Sequence, residues 1–538
     1  MTVSLPPVGP LRQLLGKDDA SIPEVWCERA KRTPDQVFLV RDGVRWTYAE
    51  AFELMCRFAG FLRERGYAGS ESRVASYLPN VPEAFWVWFG THCSGSVYFP
   101  LNRAHKGVLL SDMLSRTGAR ILVTESSALS DLPDLSSCGI DTLILIDATI
   151  EQRKELPLEV LSLDEALSAP RMNPVIPKPG DLATIMFTSG TTGRSKAVLQ
   201  PHNMYCRNAA RLAEACEWNE REVFHAWLPL YHIAGQLHQT MSMVAVGGAI
   251  WQFPTFSRSK FWSQIEQSHA TIVIGLANVL TLLWSDPPAV RDCERSLRTI
   301  LSAAVPKNLH RPFEKRFGVR IMEQYGMTEI ELLTVPTVRD REVPLGSCGR
   351  VGPDFELSIF DETDAPVPFG TPGEIVARPK ASGLMMLGYD DDAVPTVETW
   401  QNLWFHTEDI GYLDDRGFLF FVDRSRHVIR RRSENISSWE LENILLRHPD
   451  IAECAVVGIP STLGEQDVKA SICLKPNRTI GPAEVYQFCR SNMARFMVPR
   501  YIEILSELPH NHVGKIEKTQ LLNVGEGVWD AERAAGHA

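Results

Sequence analysis

A chain of 538 residues, 44% hydrophobic and 22% charged, has the composition of an ordinary soluble protein and the length of about three or four domains. Its formal net charge of −11 excludes non-specific nucleic-acid binding, because no surplus of positive charge is available for a phosphate backbone. The N-terminal stretch MTVSLPPVGPLRQLLGK has no charged region followed by an apolar core, and the most apolar stretch, 241–253, is too short to cross a bilayer. A cytoplasmic location without a transmembrane segment is therefore expected. Eleven cysteines without CxxC or Cys/His ligand spacing read as reduced thiols.

Apolar β-branched runs at 37–40, 73–77, 120–124, 142–146, 270–274 and 299–302 predict strands, with helical patterns such as 48–65 and 82–93 between them. Such alternation predicts an α/β fold with largely parallel sheets covered by helices. A further buried strand, 182–187, empties into Thr188, Ser189, Gly190, Thr191, Thr192, Gly193, Arg194, Ser195 and Lys196. Glycines let backbone N–H groups turn inward, hydroxyls add donors and Lys196 brings a mobile positive charge, so the loop reads as a phosphate cradle. It is not a Walker A loop, since Arg194 and Ser195 separate Gly193 from the lysine. Alone, such a turn is more often a linker; the strand before it and the rest of the chain reverse that.

After about 346 the texture changes. Turn signals such as AlaProVal at 365 and GlyThrProGly at 370 separate short strands, predicting a small antiparallel or barrel-like unit. The AspAspArgGly turn at 414 introduces another strand, 418–422, and the charged run 423–432 reads as a hinge or a solvated turn. Beyond it a compact α+β unit is expected: helix 439–447, strands 451–459 and 468–475, helix 482–493 and strand 501–504.

Four further segments stand in order behind the loop: MEQYGMTEI (322–330), LWFHTEDIGYLDDRGFLFFVDRSR (403–426), IRRRSENISSWELE (429–442) and HNHVGKIEK (510–518). With it they resemble the adenylate-forming superfamily of acyl-CoA synthetases, nonribosomal-peptide adenylation domains and firefly luciferase, over about 25–523. Within it the GluGlnTyrGlyMetThrGlu, ArgArgArgXaaGluAsnIleSer and AsnMetAlaArgPheMetValPro segments resemble the crotonobetaine/carnitine-CoA ligase group most. The resemblance implies a large N-terminal AMP-binding domain, 1–423, of two αβαβα-type subdomains plus a small β-barrel-like subdomain. A small mobile α+β lid domain, 424–538, carries the catalytic lysine.

The activity so implied is ATP-dependent activation of a small-molecule carboxylic acid through an acyl-adenylate, with release of pyrophosphate and transfer to coenzyme A. Lys196 and the loop would hold the β- and γ-phosphates, Glu329 would bind Mg²⁺ and Thr328 would bond the α-phosphate. Asp409 would accept the ribose hydroxyls with support from Arg424. Tyr325 would stack on adenine beside Ser302, Ala303 and Ala304, with Glu323 and Gln324 counted among the nucleotide-binding residues. Lys515 would bridge the carboxylate and the α-phosphate, and His232 would stand between acyl pocket and thiol tunnel. Rotation about a hinge near Arg426 would replace Lys515 by the 433–435 loop, with Ser433 beside the thiol. The acyl pocket is expected from 227–236, 275–278 and 326–327, mixed aromatic and apolar without a fixed counter-charge, and suited to an apolar or aromatic acid. A homodimer is compatible with the chain.

Three positions depart from the family pattern. Glu408 stands in a usual HisThrGlyAsp, Ser433 in a usual GlyGluAsn, and Ala197 replaces a common glycine. The first adds a carboxylate near the ribose and phosphates. The second narrows the path of the thiol arm. Two other enzymatic outcomes therefore stand beside CoA transfer: passage of the adenylate to an acceptor such as an amine, or activation of nitrite to diazotise an aromatic amine. A non-catalytic nucleotide-binding protein is the reading from a different class.

Overall fold

The computed structural model describes residues 9–147, 158–188, 195–288, 292–303, 305, 307–340, 342–390, 393–424, 428–432, 434–461, 464–509, 516–525, 527–534 and 536. Two large sheets form the body. The first runs in the order Gly388–Tyr389, Lys196–Pro201, Leu182–Thr188, Val97–Pro100, Arg73–Tyr77, Ile121–Thr124, Thr142–Leu145, Glu159–Ser162. The second runs Arg320–Glu323, Thr299–Ser302, Ile272–Ile274, Val223–Ala226, Ala249–Gln252, Val37–Arg41, Val44–Thr47. Both are parallel except at one edge. The run expected at 270–274 shortens at its start, because the Ala270 amide bonds the Ile265 carbonyl and closes the preceding helix.

Successive residues of each strand serve different cores, as the two-residue period of a strand requires. Val74 and Ile121 enter the core shared by the two sheets, whereas Ala75 and Leu122 face the outer core of the first sheet. Ile272 and Leu301 likewise face the shared core, while Val273 and Ile300 face outward. Five layers result, helix–sheet–helix–sheet–helix. The middle layer explains its own sequence: in helix Glu83–Cys93 every residue from Ala84 to Cys93 is buried, so the usual polar face is missing. Its neighbour, helix Tyr48–Glu64, starts in a capping box between Thr47 and Glu50.

The unit expected after 346 is an antiparallel sheet of Phe355–Phe360, Gly373–Pro379, Trp404–Leu413 and Trp400–Gln401, with Leu419–Arg424 beside Trp404–Leu413. Its core takes in Tyr325, Ile330 and Leu333 from the body, which seats the sheet against the 322–330 segment. A last sheet, Ile451–Pro460, Gln466–Leu474, Tyr501–Leu505 and Trp529–Asp530, packs with helices Ser438–Leu445 and Pro482–Asn492. The hairpin Val428–Arg431 and Glu434–Ser437 gives Ile429 and Ile436 to that core. Leu419 belongs to the antiparallel sheet's core and Ile429 to the C-terminal one, so the chain changes cores inside the charged run. Ala104 and Leu109 of the body pack against the C-terminal core. Among the described residues no helix is long and apolar enough to cross a membrane.

The contact between the two middle helices yields a stability prediction. A Cβ at Gly90 would lie 2.8 Å from the Met55 carbonyl oxygen and 2.9 Å from Phe58 Cβ. Gly90→Ala, which helix propensity alone would favour by about 1 kcal/mol, is expected to destabilise by about 1–3 kcal/mol through overpacking. A downward shift of the urea midpoint checks it.

Candidate active site

The parallel strands Ile272–Ile274, Thr299–Ser302 and Arg320–Glu323 end at one cavity of ≈ 1020 Å³, whose lining includes Leu276, Ala303 and Gln324. Open α/β sheets place ligands at the carboxyl ends of their strands. The antiparallel sheet and the C-terminal hairpin close the remaining sides.

At one end, the Tyr325 and Phe421 rings lie with centroids 6.2 Å apart and planes inclined by 30°. The Tyr325 hydroxyl donates to Asp409 Oδ2 at 2.8 Å, and Asp409 is buried. Arg424 is the main-chain partner of Asp409 across the strand pair. Ser302 and Glu323 are occupied by the framework: the Ser302 hydroxyl donates to the Gly275 carbonyl, and Glu323 Oε1 accepts from the Val305 amide at 3.1 Å. Both still line the cavity, as does Ala303.

At the other end, Thr188 and Lys196 are paired across antiparallel strands, so the two ends of the hydroxyl-rich loop stand side by side. Lys196 Nζ lies 4.8 Å from the centre of the Tyr389 ring, and the Tyr389 hydroxyl donates to Glu329 Oε1 at 2.9 Å. Burial and then the Glu329 carboxylate push the Tyr389 pKa up, which keeps the phenol protonated as a donor. Thr328 lines the cavity, and its carbonyl accepts from the Gln200 side chain at 2.8 Å. Ser189, Gly190, Thr191, Thr192, Gly193, Ala304, Arg426, Ser433 and Lys515 lie outside the described residues.

The third side comes from the hairpin. Glu434 Oε1 is 2.8 Å from His232 Nε2. Burial alone would lower the His232 pKa, but the charge and hydrogen bond of Glu434, with a smaller contribution from Glu331, raise it. Burial would raise Glu434, and His232, His105 and Asn102 together lower it. His105 is itself pushed down to about 4 by burial, so the ion pair sits beside a neutral imidazole. A second link joins the Ser195 hydroxyl to Glu440 at the start of the helix after the hairpin. The described residues flanking Lys515, from Leu508 and Ile516 to Lys518, line no part of the cavity; Leu508 and Ile516 pack on the other face of the C-terminal sheet.

The AMP-binding enzyme family model matches residues 26–390, and the AMP-binding enzyme C-terminal domain matches 440–515. The chain belongs to the AMP-binding enzyme family. The crotonobetaine/carnitine–CoA ligase of Salmonella paratyphi A is 30% identical over 516 residues, covering 93% of this chain and 98% of the relative. Among solved structures, o-succinylbenzoate CoA synthetase of Bacillus subtilis bound to a CoA product analogue superimposes with a TM-score of 0.81 at 24% identity, covering 94% of this chain and 99% of that one. The amide bond synthetase McbA of Marinactinospora thermotolerans gives 0.80 at 23% identity, over 92% and 99%. The same Bacillus enzyme with its acyl-adenylate gives only 0.66. In this AMP-binding enzyme the hairpin of the small unit brings Glu434 to the cavity.

Two features of this AMP-binding enzyme lie beyond the sequence motifs. Glu408 holds a left-handed φ of +58°, and its amide donates to Glu374 Oε1 at 2.9 Å. Glycine meets that backbone demand without cost, whereas glutamate carries roughly 1–2 kcal/mol. The Glu408 carboxylate also contributes to the raised Tyr389 pKa. The cavity wall, moreover, carries a fixed charge where the sequence suggests none: Glu331 and His238 line it, each outside the expected pocket stretches. Tyr389, His238 and Glu331 have no motif spacing, and only the fold brings them to the cavity.

Both links across the interface respond to pH in the same direction. Burial pushes the Glu440 carboxyl from 4.5 up to about 7, against hydrogen bonds from the Ser195 hydroxyl and amide; Asp112 adds to the rise and Arg116 opposes it. A raised acid pKa makes the docked arrangement bind protons more tightly, so docking weakens as pH rises from 4.5 to about 7. The His232–Glu434 pair is fully present between the ordinary carboxylate and histidine values, and on the alkaline side it is lost as pH rises through the raised histidine value. Energy transfer between dyes on the two units is expected to fall with rising pH, with the docked-to-undocked ratio changing by about tenfold or more. Glu440→Gln should flatten the limb below 7, and His232→Ala the limb above it.

Proposed function

We propose that this chain is an AMP-forming acid–thiol ligase: it activates a carboxylic acid with ATP, releases pyrophosphate and passes the acyl group to coenzyme A. The observation that carries the reading is one cavity joining the Tyr325–Asp409 end, the Lys196–Tyr389–Glu329 end and the hairpin with Glu434. The full-length similarity to a crotonobetaine/carnitine–CoA ligase supports the same chemistry. Domains 1–423 and 424–538, hinged within the charged run, would exchange Lys515 for Glu434 between the two half-reactions. A cytoplasmic location completes the reading.

In the first step a carboxylate oxygen attacks the α-phosphorus of ATP, the bond from that phosphorus to the β-phosphate bridging oxygen breaks, and pyrophosphate leaves. Lys196 and the 188–193 loop would neutralise the departing phosphates, Thr328 would bond the α-phosphate, and Lys515 would draw the two anions together. Asp409 and Arg424 would hold the ribose, and Tyr325 the base with Ser302, Ala303, Ala304, Glu323 and the Gln324 main chain around it. Among the described residues no group of three His, Cys, Asp or Glu forms a ready-made metal cage, while Glu329 presents a buried carboxylate beside the phosphate end. One carboxylate completed by phosphate oxygens and water suits Mg²⁺, which would supply charge neutralisation on the phosphates. In the second step the thiol sulfur attacks the acyl carbon and AMP leaves with the oxygen of the broken acyl–phosphate bond. His232 and Glu434 would fix the hairpin that admits the thiol, with Ser433 beside its path, and Arg430 and Arg432 line the same side of the cavity.

Pyrophosphate release across a panel of acids, with and without coenzyme A, followed by mass spectrometry, tests the reading. A CoA thioester is expected; acid-dependent pyrophosphate without a thioester would overturn CoA as the acceptor and leave an amine in its place. Lys515→Ala should slow adenylation by on the order of 10³-fold while ATP binding persists. Glu434→Ala should leave adenylation unchanged but slow thioester formation from supplied acyl-adenylate by about tenfold or more; equal losses in both steps would contradict a role confined to the second.

A further inference from the structure

Away from its phosphate end the cavity is walled by Trp227, Ile233, Phe256 and Leu276, an apolar and aromatic surface. A buried polar cluster lines the same cavity. His238 and Glu331, with side chains 4% and 5% exposed, bring Nε2 and Oε1 to 3.0 Å from each other. Gln324 joins them, its amide nitrogen 2.8 Å from His238 Nδ1. A ring nitrogen that accepts this bond carries no hydrogen, so the imidazole hydrogen lies on Nε2, on the side of Glu331. The alignment there is poor. Among the described residues neither His238 Nε2 nor the buried Gln324 Oε1 makes a hydrogen bond of good geometry.

The backbone that presents these groups is unusual at two points. His238 lies in the π-helical segment Gly235–Met241, a rare local geometry that is frequent at functional positions. Glu331 holds φ at +46°, a conformation costly for any residue with a side chain and retained where surroundings enforce it. Unpaired buried polar atoms in a low-dielectric wall are destabilising unless a partner completes them. Among the described residues the cluster leaves one acceptor open, the buried Gln324 carbonyl oxygen, while the Glu331 carboxylate stands at His238 Nε2. An incoming N–H or O–H satisfies that oxygen and is favoured by the carboxylate's charge. An incoming carboxylate is repelled.

We propose that His238, Gln324 and Glu331 recognise the far end of the acid, selecting a carboxylic acid whose apolar or aromatic body ends in an amino or hydroxyl group and rejecting dicarboxylic acids. The inference rests on the ligase reading above. A site that bonds a donor discriminates strongly against the analogue lacking it, because the analogue leaves buried polar groups unpaired.

The test uses acids that share a skeleton: benzoic and 3-phenylpropanoic acids, each unsubstituted and with a ring amino, hydroxyl or carboxyl group. Pyrophosphate release gives kcat/KM, and calorimetry with the matching acyl-sulfamate analogues of the adenylates gives affinity without turnover. The best amino or hydroxy acid should exceed its unsubstituted parent by at least about tenfold in both readouts, and the carboxy acid should fall below the parent. Gln324→Met should bring the ratio to within about threefold of unity, and Glu331→Gln, which keeps the shape, should raise the carboxy acid relative to the others. Equal use of parent and donor acids, or ratios unchanged in both variants, would overturn the assignment while leaving the ligase reading intact. No pyrophosphate and no binding with any member would overturn the ligase reading, and this one with it.

Discussion

The hydrogen bond from the Tyr325 hydroxyl to Asp409 joins three parts of the molecule at one point. Tyr325 follows the edge strand Arg320–Glu323 of the second parallel sheet, and Asp409 lies in the middle of Trp404–Leu413, the central strand of the antiparallel unit. The segment after Tyr325 then carries Thr328 and Glu329 across to Tyr389, on the edge strand of the first sheet. Three sheets, two of which share a core, are thereby held against one turn of chain, and the cavity lies where they meet. Displacing that turn would move Tyr325, Thr328 and Glu329 together.

Much of this was legible in the sequence, and the reason differs from part to part. The parallel strands announce themselves because they are buried on both faces, which leaves unbroken apolar runs such as Ile121–Thr124 and Thr142–Leu145. The loop before Lys196 suggests a phosphate cradle through its glycines and hydroxyls, and of it the structure describes only Thr188, Ser195 and Lys196 at its ends. The charged run 423–432 reads in the sequence as either a hinge or a solvated turn, and between Leu419 and Ile429 the chain passes from one core to another.

Tyr389, His238 and Glu331 were not legible, since each is an ordinary residue in an ordinary local pattern. Their meaning arises from contacts over long separations: Tyr389 with Glu329, His238 with Gln324. Glu440 is of the same kind, a carboxylate within an amphipathic helix that becomes buried only because a different unit covers it with Ser195. Glu408 was visible as a departure, but its left-handed backbone was not, and that conformation explains why a side chain there is unusual.

Gly326 has a consequence for how this pocket can diversify. A Cβ at that position would lie 1.3 Å from the Glu331 carbonyl oxygen, so no other amino acid fits without moving the wall. In many binding sites, depth and polarity drift together as lineages exchange side chains. Here one boundary of the cavity is bare main chain, fixed for every descendant that keeps the fold. Trp227, His238 and Gln324 line the same cavity with side chains. New specificities would then arise by recolouring a pocket of nearly constant outline, a route in which intermediates along the way stay folded.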